Sequence, residues 1–313
     1  MSQQAGPPYA SPFAVVGGTP TSSLDVPVCS VFLAVYLGFA LTNMTIYQLN
    51  TRKRHITFRP SLLLFGFSMA RVLTMVLRII WAEHSDNLRL MIASNIFTNA
   101  GILVIFILNL LLAQRILRAE QPHLGWSKAL RTPCKALYAL TGGVLVMIIT
   151  AAVLSFYTRN TRTLKACRDI QLAATTYLFV FTTLPIFHVA TAHVLPKSAA
   201  REPFGRQDTG VAMKEIVVTV ASLLSIVGIG FKVGTAYTLP RLRSDPAWYH
   251  SKAAFYCFNF VLEIMVLAVL TFSRIDRLFW VPDGSKGPGD YTRLAQGSTG
   301  REKGVGLESL DKA

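Results

Sequence analysis

Residues 61–81 read SLLLFGFSMARVLTMVLRIIW, 21 residues with a single charge at the centre, Arg71, and a second, Arg78, near one end. A central arginine costs a membrane helix about 3 kcal/mol, and each Leu, Ile, Phe or Val returns about 0.3–0.6 kcal/mol. The stretch holds eleven such residues, which return roughly 3–7 kcal/mol. The segment therefore spans a bilayer despite its charges, at about the length a helix needs to cross the hydrocarbon. Arg71 and Arg78 are two helical turns apart and share a face. That face must look inward, away from lipid.

Six further blocks have the same character, giving the set 27–49, 61–81, 90–114, 136–158, 170–194, 215–239 and 253–273. Each is expected to be helical, because backbone in lipid has no hydrogen-bond partner except its own ladder. The composition agrees: 52% hydrophobic, 15% charged and a mean hydropathy of +0.43, where a soluble domain carries about a quarter charged residues. The reading is an all-α, seven-helix transmembrane bundle over residues 27–282. Residues 1–26 are expected to form a disordered extracellular tail. Residues 283–313 are expected to form a disordered cytosolic tail.

Orientation follows from the basic residues. Segments after the first, third, fifth and seventh blocks hold 20 Lys and Arg, and those on the other side hold 8. The excess belongs in the cytosol, so the N-terminus is expected outside. No charged stretch precedes an apolar one at the start, so no cleavable leader is expected and the first helix would act as its own signal. The net charge of +15 sits in short loops, where topology and anionic lipid account for it; nucleic acid is not an expected partner. Plasma membrane is the default location, with a vacuolar or other internal membrane the alternative.

Polar groups at bilayer depth are costly and carry the functional reading. Glu263 is the one acid well inside a block and the expected partner of Arg71. Asn259 lies one turn earlier on the same face. Asn95, Asn99 and Asn109 lie within about 80° of one another on the third helix, and Lys232 lies in the sixth. Arg71, Arg78, Asn95, Asn99, Lys232, Asn259 and Glu263 are thus the candidate intramembrane site, expected to line a polar cavity whose positive lining favours an anionic ligand. The alternative is that these groups only tie helices together. Gly230 and Gly234 suggest close helix packing. His188 and His193 do not share a face and read as interfacial.

Cys29, Cys134, Cys167 and Cys257 make no metal-ligand spacing. Cys29 and Cys167 share the outer side, so a bridge is conceivable, with free thiols the simpler reading. No metal, cofactor or enzyme activity is expected, since HExxH, GxSxG and paired catalytic acids are all missing. The seventh block has no mid-helix lysine for a retinal and no Asn-Pro-x-x-Tyr, and the third ends without an acidic-Arg-aromatic triplet.

Several stretches together resemble a family. They are Gly17-Gly-Thr-Pro20 with Asp25-Val-Pro27, Leu63–Arg71, Leu77-Arg-Ile-Ile-Trp-Ala82, Asn109–Arg115, Arg168-Asp-Ile-Gln-Leu172 and Arg277-Leu-Phe-Trp-Val-Pro282. The chain is similar through most of 17–282 to filamentous-fungal seven-helix membrane proteins of unknown function, some labelled family-C-like G-protein-coupled receptors. The resemblance implies a receptor-like sensor of a small ligand, with a heterotrimeric G protein as partner. A short N-tail departs from the large outer domain of animal family-C receptors. The rival readings are a lipid or small-molecule transporter using the Arg/Glu site and a structural or accessory membrane protein.

Overall fold

A computed structural model describes residues 6–9, 11–54, 56–205 and 210–292. Seven helical spans are long and apolar enough to cross a membrane: Asp25–Lys53, Arg59–Glu83, Leu88–Glu120, Lys128–Tyr157, Thr161–Val194, Val211–Tyr237 and Lys252–Phe272. All seven expected blocks are recovered. Their apolar outer faces, including Val31, Leu41, Val146, Phe187, Leu223 and Phe272, are exposed, as lipid-facing surface requires.

The elements are α1 (Asp25–Arg54), α2 (Arg59–Glu83), α3 (Leu88–Ala100), α4 (Leu103–Glu120), α5 (Pro122–Gly125), α6 (Lys128–Tyr157), α7 (Thr161–Val194), α8 (Val211–Tyr237), α9 (Lys252–Tyr256), α10 (Leu262–Phe272) and α11 (Ile275–Leu278). A π-helical turn, Cys257–Val261, joins α9 to α10. α4 is the central strut, packed on α2, α7 and α8, and α1 closes the ring against α2 and α10. Its Ile105, Leu108, Leu112 and Ile116 are fully buried in the main core.

The third span is broken, which the pattern of apolar residues does not reveal. α3 stops at Ala100 and α4 starts at Leu103, with Gly101 between them. Gly101 and Ile102 keep right-handed helical angles, so the interruption is local, and Asn109 stands roughly 80° round the helix from Asn99. Asn109 is buried and donates to Ser225 Oγ at 3.2 Å, whereas Asn99 is exposed. The fifth span starts earlier than its apolar block because the Asn160 side chain caps α7 by accepting from Arg162 N. Arg162, Lys165 and Arg168 thus ride its first turns.

Both expected disordered tails need correction within the described residues. Residues 11–24 lie over the Asp25 end of the bundle: Ala14 N donates to Arg241 O (2.8 Å) and Gly17 N to His250 O (3.0 Å). Gly17 sits at φ +83°, and a Cβ there would fall 2.5 Å from the Phe255 ring, so glycine is required on both counts. A segment too polar to fold alone is ordered here by the loop it meets.

At the opposite end, residues 283–292 form a strap. Glu202, 5% exposed, accepts from Gly289 N (2.6 Å) and Tyr291 N (2.9 Å), and Tyr291 packs against Trp126 and Phe204. The remainder of that tail, 293–313, lies outside the described residues, as do residues 1–5 and 10 of the other. Removing two hydrogen bonds to a carboxylate costs roughly 1.5–3 kcal/mol each. Glu202→Ala is accordingly expected to raise the rate of limited proteolysis within 283–292 at least tenfold; an unchanged rate would mean that Glu202 does not hold the strap.

α11 follows the seventh span. Asp276 is reached by Arg274 (3.0 Å twice) and by Asn50 Nδ2 (2.9 Å). Burial alone would raise its pKa, but the bonds from Arg274 and Asn50 outweigh it and hold the carboxyl below the ordinary value.

Candidate functional site

Arg71 projects from the middle of α2 into the core and is fully buried. Its Nε and Nη2 donate to Glu263 Oε2 and Oε1, each at 2.6 Å. The fork geometry uses both oxygens of the one acid at this depth, the pattern an arginine forms best. Its Nη1 donates to Phe97 O (2.9 Å) and Thr98 O (3.0 Å), carbonyls that end α3. Gly101 makes this possible: a Cβ there would stand 3.2 Å from the Arg71 guanidinium carbon.

Glu263 opens α10 directly after the π turn. Such a turn leaves backbone groups without their usual partners, and side chains take them up. Asn259 Nδ2 donates to Phe255 O (2.9 Å), and the Tyr36 hydroxyl stands 3.1 Å from Phe260 O and 3.4 Å from Glu263 Oε2. The Arg71–Glu263 pair thus joins α2 to the two places where the bundle departs from regular helix, the α3–α4 break and the π turn.

Arg78, two turns along α2, has a different partner that the sequence reading missed. Asp25, at the head of α1 and fully buried, accepts from Arg78 Nη2 (3.0 Å), the Tyr256 hydroxyl (2.6 Å), Lys252 Nζ (2.5 Å) and Thr21 N (2.8 Å). Arg78 Nε donates to the Tyr256 hydroxyl (3.0 Å), and Nη2 also reaches Gly17 O (3.3 Å). Its guanidinium lies 4.1 Å from the centre of the Phe255 ring, a cation–π contact in a desolvated setting. Asp25 was assigned to the tail; the usable signal was its position at the same expected depth as Arg78. Residues 17–25 thus meet the end of α2 here: Gly17 and Asp25 both touch Arg78, and Ser22 donates to Ala82 O.

The expected ligand-sized polar cavity is not present among the described residues. The space beside Glu263 has a volume of about 10 Å³, with Lys232 as its other charged lining residue among mainly apolar neighbours. That is room for about one water. The reason is that the polar groups consume one another. Lys232 donates to Asn99 Oδ1 (3.2 Å) at the bundle surface, and Asn99 Nδ2 donates to Asn95 O within α3. Arg71 and Glu263 pair, and Arg78 belongs to the Asp25 cluster. Lys232 still lines the small space beside Glu263, Asn259 serves the π turn, and Arg78 stands apart with Asp25.

Smaller corrections follow the same logic. His188 is buried, not interfacial, with Nδ1 2.9 Å from Leu184 O, while His193 is exposed beside Glu215. A Cβ at Gly234 would meet nothing within 4 Å, so close packing falls to Gly228, whose Cβ would lie 3.4 Å from Phe258 O in the π turn. The four cysteines are free; Cys29 Sγ lies 3.2 Å from the Tyr256 hydroxyl. No cluster of metal-ligating side chains occurs among the described residues.

No protein-family model matches the chain, and no match is found among curated proteins or solved structures. The fold and its buried charges define a class without that help: the chain is an all-helical, multi-pass membrane protein.

Proposed function

We propose that this protein is a receptor-like sensor, with its N-terminus outside, whose two states differ at the Arg71–Glu263 junction. The observation that supports this most is the meeting of a fully buried, two-pronged ion pair with both irregular helix segments of the bundle. Buried pairs do little for net stability, whereas breaks and π turns are where helices repack between discrete arrangements. A shift of the π turn would move Glu263 relative to α2, releasing or re-forming the bonds to the α3 carbonyls, and α4 would carry the change to the basic segments 115–135 and 195–214.

The input reaches this junction from the Asp25 end. Residues 11–24 cover that end and hold Arg78 through Gly17 O and Asp25, so an anionic ligand would act by competing with Asp25 for Arg78. A heterotrimeric G protein at the basic face is the expected partner, and the fungal seven-helix family the expected kinship.

The test is gentle purification of the tagged full-length chain from its native cells. Recovery of a heterotrimeric G protein that is released by a non-hydrolysable GTP analogue, and lost in Glu263→Gln, is the expected result. An intact, abundant preparation without G protein would overturn the reading. The transporter alternative draws on the one-water space shared by Lys232 and Glu263, through which Glu263 could pass a proton. A pH-dependent flux in reconstituted vesicles that vanishes in Glu263→Gln would select it.

A further inference from the structure

A larger cavity, of about 180 Å³, lies at the opposite end of the bundle, between the last turns of α4, the short α5, the first turns of α6 and the strap 283–292. Its lining contains no acid. Arg118 projects into it from α4, Arg131 and Lys135 from α6, and Lys286 from the strap.

Arg118 Nη2 donates to Gln114 Oε1 (3.5 Å) beside it, but other buried atoms around the cavity are unpartnered. Eight buried side-chain nitrogen and oxygen atoms lack a hydrogen-bond partner among the described residues, and four of them belong to residues lining this one cavity. They are Gln114 Nε2, Arg118 Nε, Trp126 Nε1 and the Tyr138 hydroxyl. Gln114 itself is buried, at 6% exposed. Indole, guanidinium and amide N–H groups only donate, so these three cannot satisfy one another, and of the four only the Tyr138 hydroxyl can also accept. Leaving such groups unpaired is costly, and native proteins rarely do so without a reason. The Arg118 guanidinium is held 4.8 Å from the centre of the Trp126 ring, which fixes its direction.

What fits is a compact group rich in acceptors and negative charge. A carboxylate offers two oxygens, whereas a phosphate offers three and matches a fork-shaped arginine among several donors. The volume is below that of a drug-sized pocket and suits one phosphate with its immediate substituents. We propose that this cavity binds a phosphate group, carried by an anionic lipid headgroup or supplied free. Basic pockets between helix ends at the membrane surface recognise lipid phosphates in this way. The site is separate from the Arg71–Glu263 junction and does not depend on the receptor reading.

The experiment uses the purified full-length chain in phosphatidylcholine nanodiscs, with thermal unfolding followed at constant ionic strength. The probes are short-chain phosphatidic acid, inorganic phosphate and octanoate. A saturable rise in Tm with phosphatidic acid is expected, with apparent affinity at least tenfold weaker in Arg131→Gln/Lys135→Gln. Both positions are exposed, so folding is not at stake. Trp126→Phe keeps a ring but removes one donor, and should weaken binding about fivefold, one neutral hydrogen bond's worth. A response to inorganic phosphate as well would identify free phosphate as a source; a response to phosphatidic acid alone would identify the lipid. An equal response to octanoate, the same affinity in the double variant, or no response to either phosphate probe would overturn the proposal.

Discussion

Glu263→Ala should lower the unfolding free energy of the purified protein by about 3–5 kcal/mol, the loss seen when one partner of a buried pair is removed. The residue left behind is the reason. Arg71 is fully buried, and without Glu263 it keeps only Phe97 O and Thr98 O, two carbonyls that cannot neutralise it. The companion variant Arg71→Met/Glu263→Leu removes both charges and keeps the bulk. Apolar replacement of a whole buried pair is commonly neutral or stabilising, so this double variant should recover most of the loss. Thermal unfolding in a mild detergent reads both. A Glu263→Ala protein within about 0.5 kcal/mol of the parent, the range of a featureless surface change, would mean that the pair is not holding α2 to α10. A stable double variant that no longer recovers G protein would assign the charges to switching rather than to folding.

Asp25→Ala is the second large effect, and it acts on a different part of the molecule. Asp25 is the only acid touching Arg78 among the described residues, and it also receives Tyr256 and Lys252. Its removal leaves Arg78 buried with the Tyr256 hydroxyl and Gly17 O; a loss of about 3–5 kcal/mol follows for the same reason as above. Lys252 is partly exposed and contributes little, because water can replace its partner. The signature that separates this variant from Glu263→Ala is local. Amides of Ala14 and Gly17, which bond to Arg241 O and His250 O, should exchange with solvent faster in Asp25→Ala and at the parental rate in Glu263→Ala. Equal acceleration in both would show that the two clusters open as one unit. Two turns of α2, about 10 Å, separate the arginines, so the stability losses should also add.

Much of the architecture was legible because lipid imposes a simple code: a span needs about 20 apolar residues, and seven such blocks stand clear of their flanks. The Arg71–Glu263 pair was legible for a related reason, since a central charge with one available opposite has a forced partner. What the pattern missed was local and tertiary. The local interruption at Gly101 leaves the hydrophobicity of the third span unbroken, so the pattern gives no sign of it. The π turn at 257–261 shifts the seventh span in the same silent way. Residues 11–24 and 283–292 have the composition of disordered chain and are ordered only by partners remote in sequence, His250 and Arg241 for one and Glu202 for the other. The cavity walled by Gln114, Trp126 and Tyr138 could not be read for the same reason: its donors come from three elements and are notable only for what they lack.

The placement of Asp25 bears on how the chain is made. It emerges at the head of the first span, yet Arg78 follows 53 residues later, and Tyr256 lies 231 residues away. Glu263 likewise arrives 192 residues after Arg71. Throughout insertion of the first six spans, two arginines and an aspartate therefore wait in the membrane with their bonding incomplete, and the seventh span closes both clusters at once. A translation product halted before residue 252 would keep the Asp25–Arg78 contact but leave Arg71 without its carboxylate.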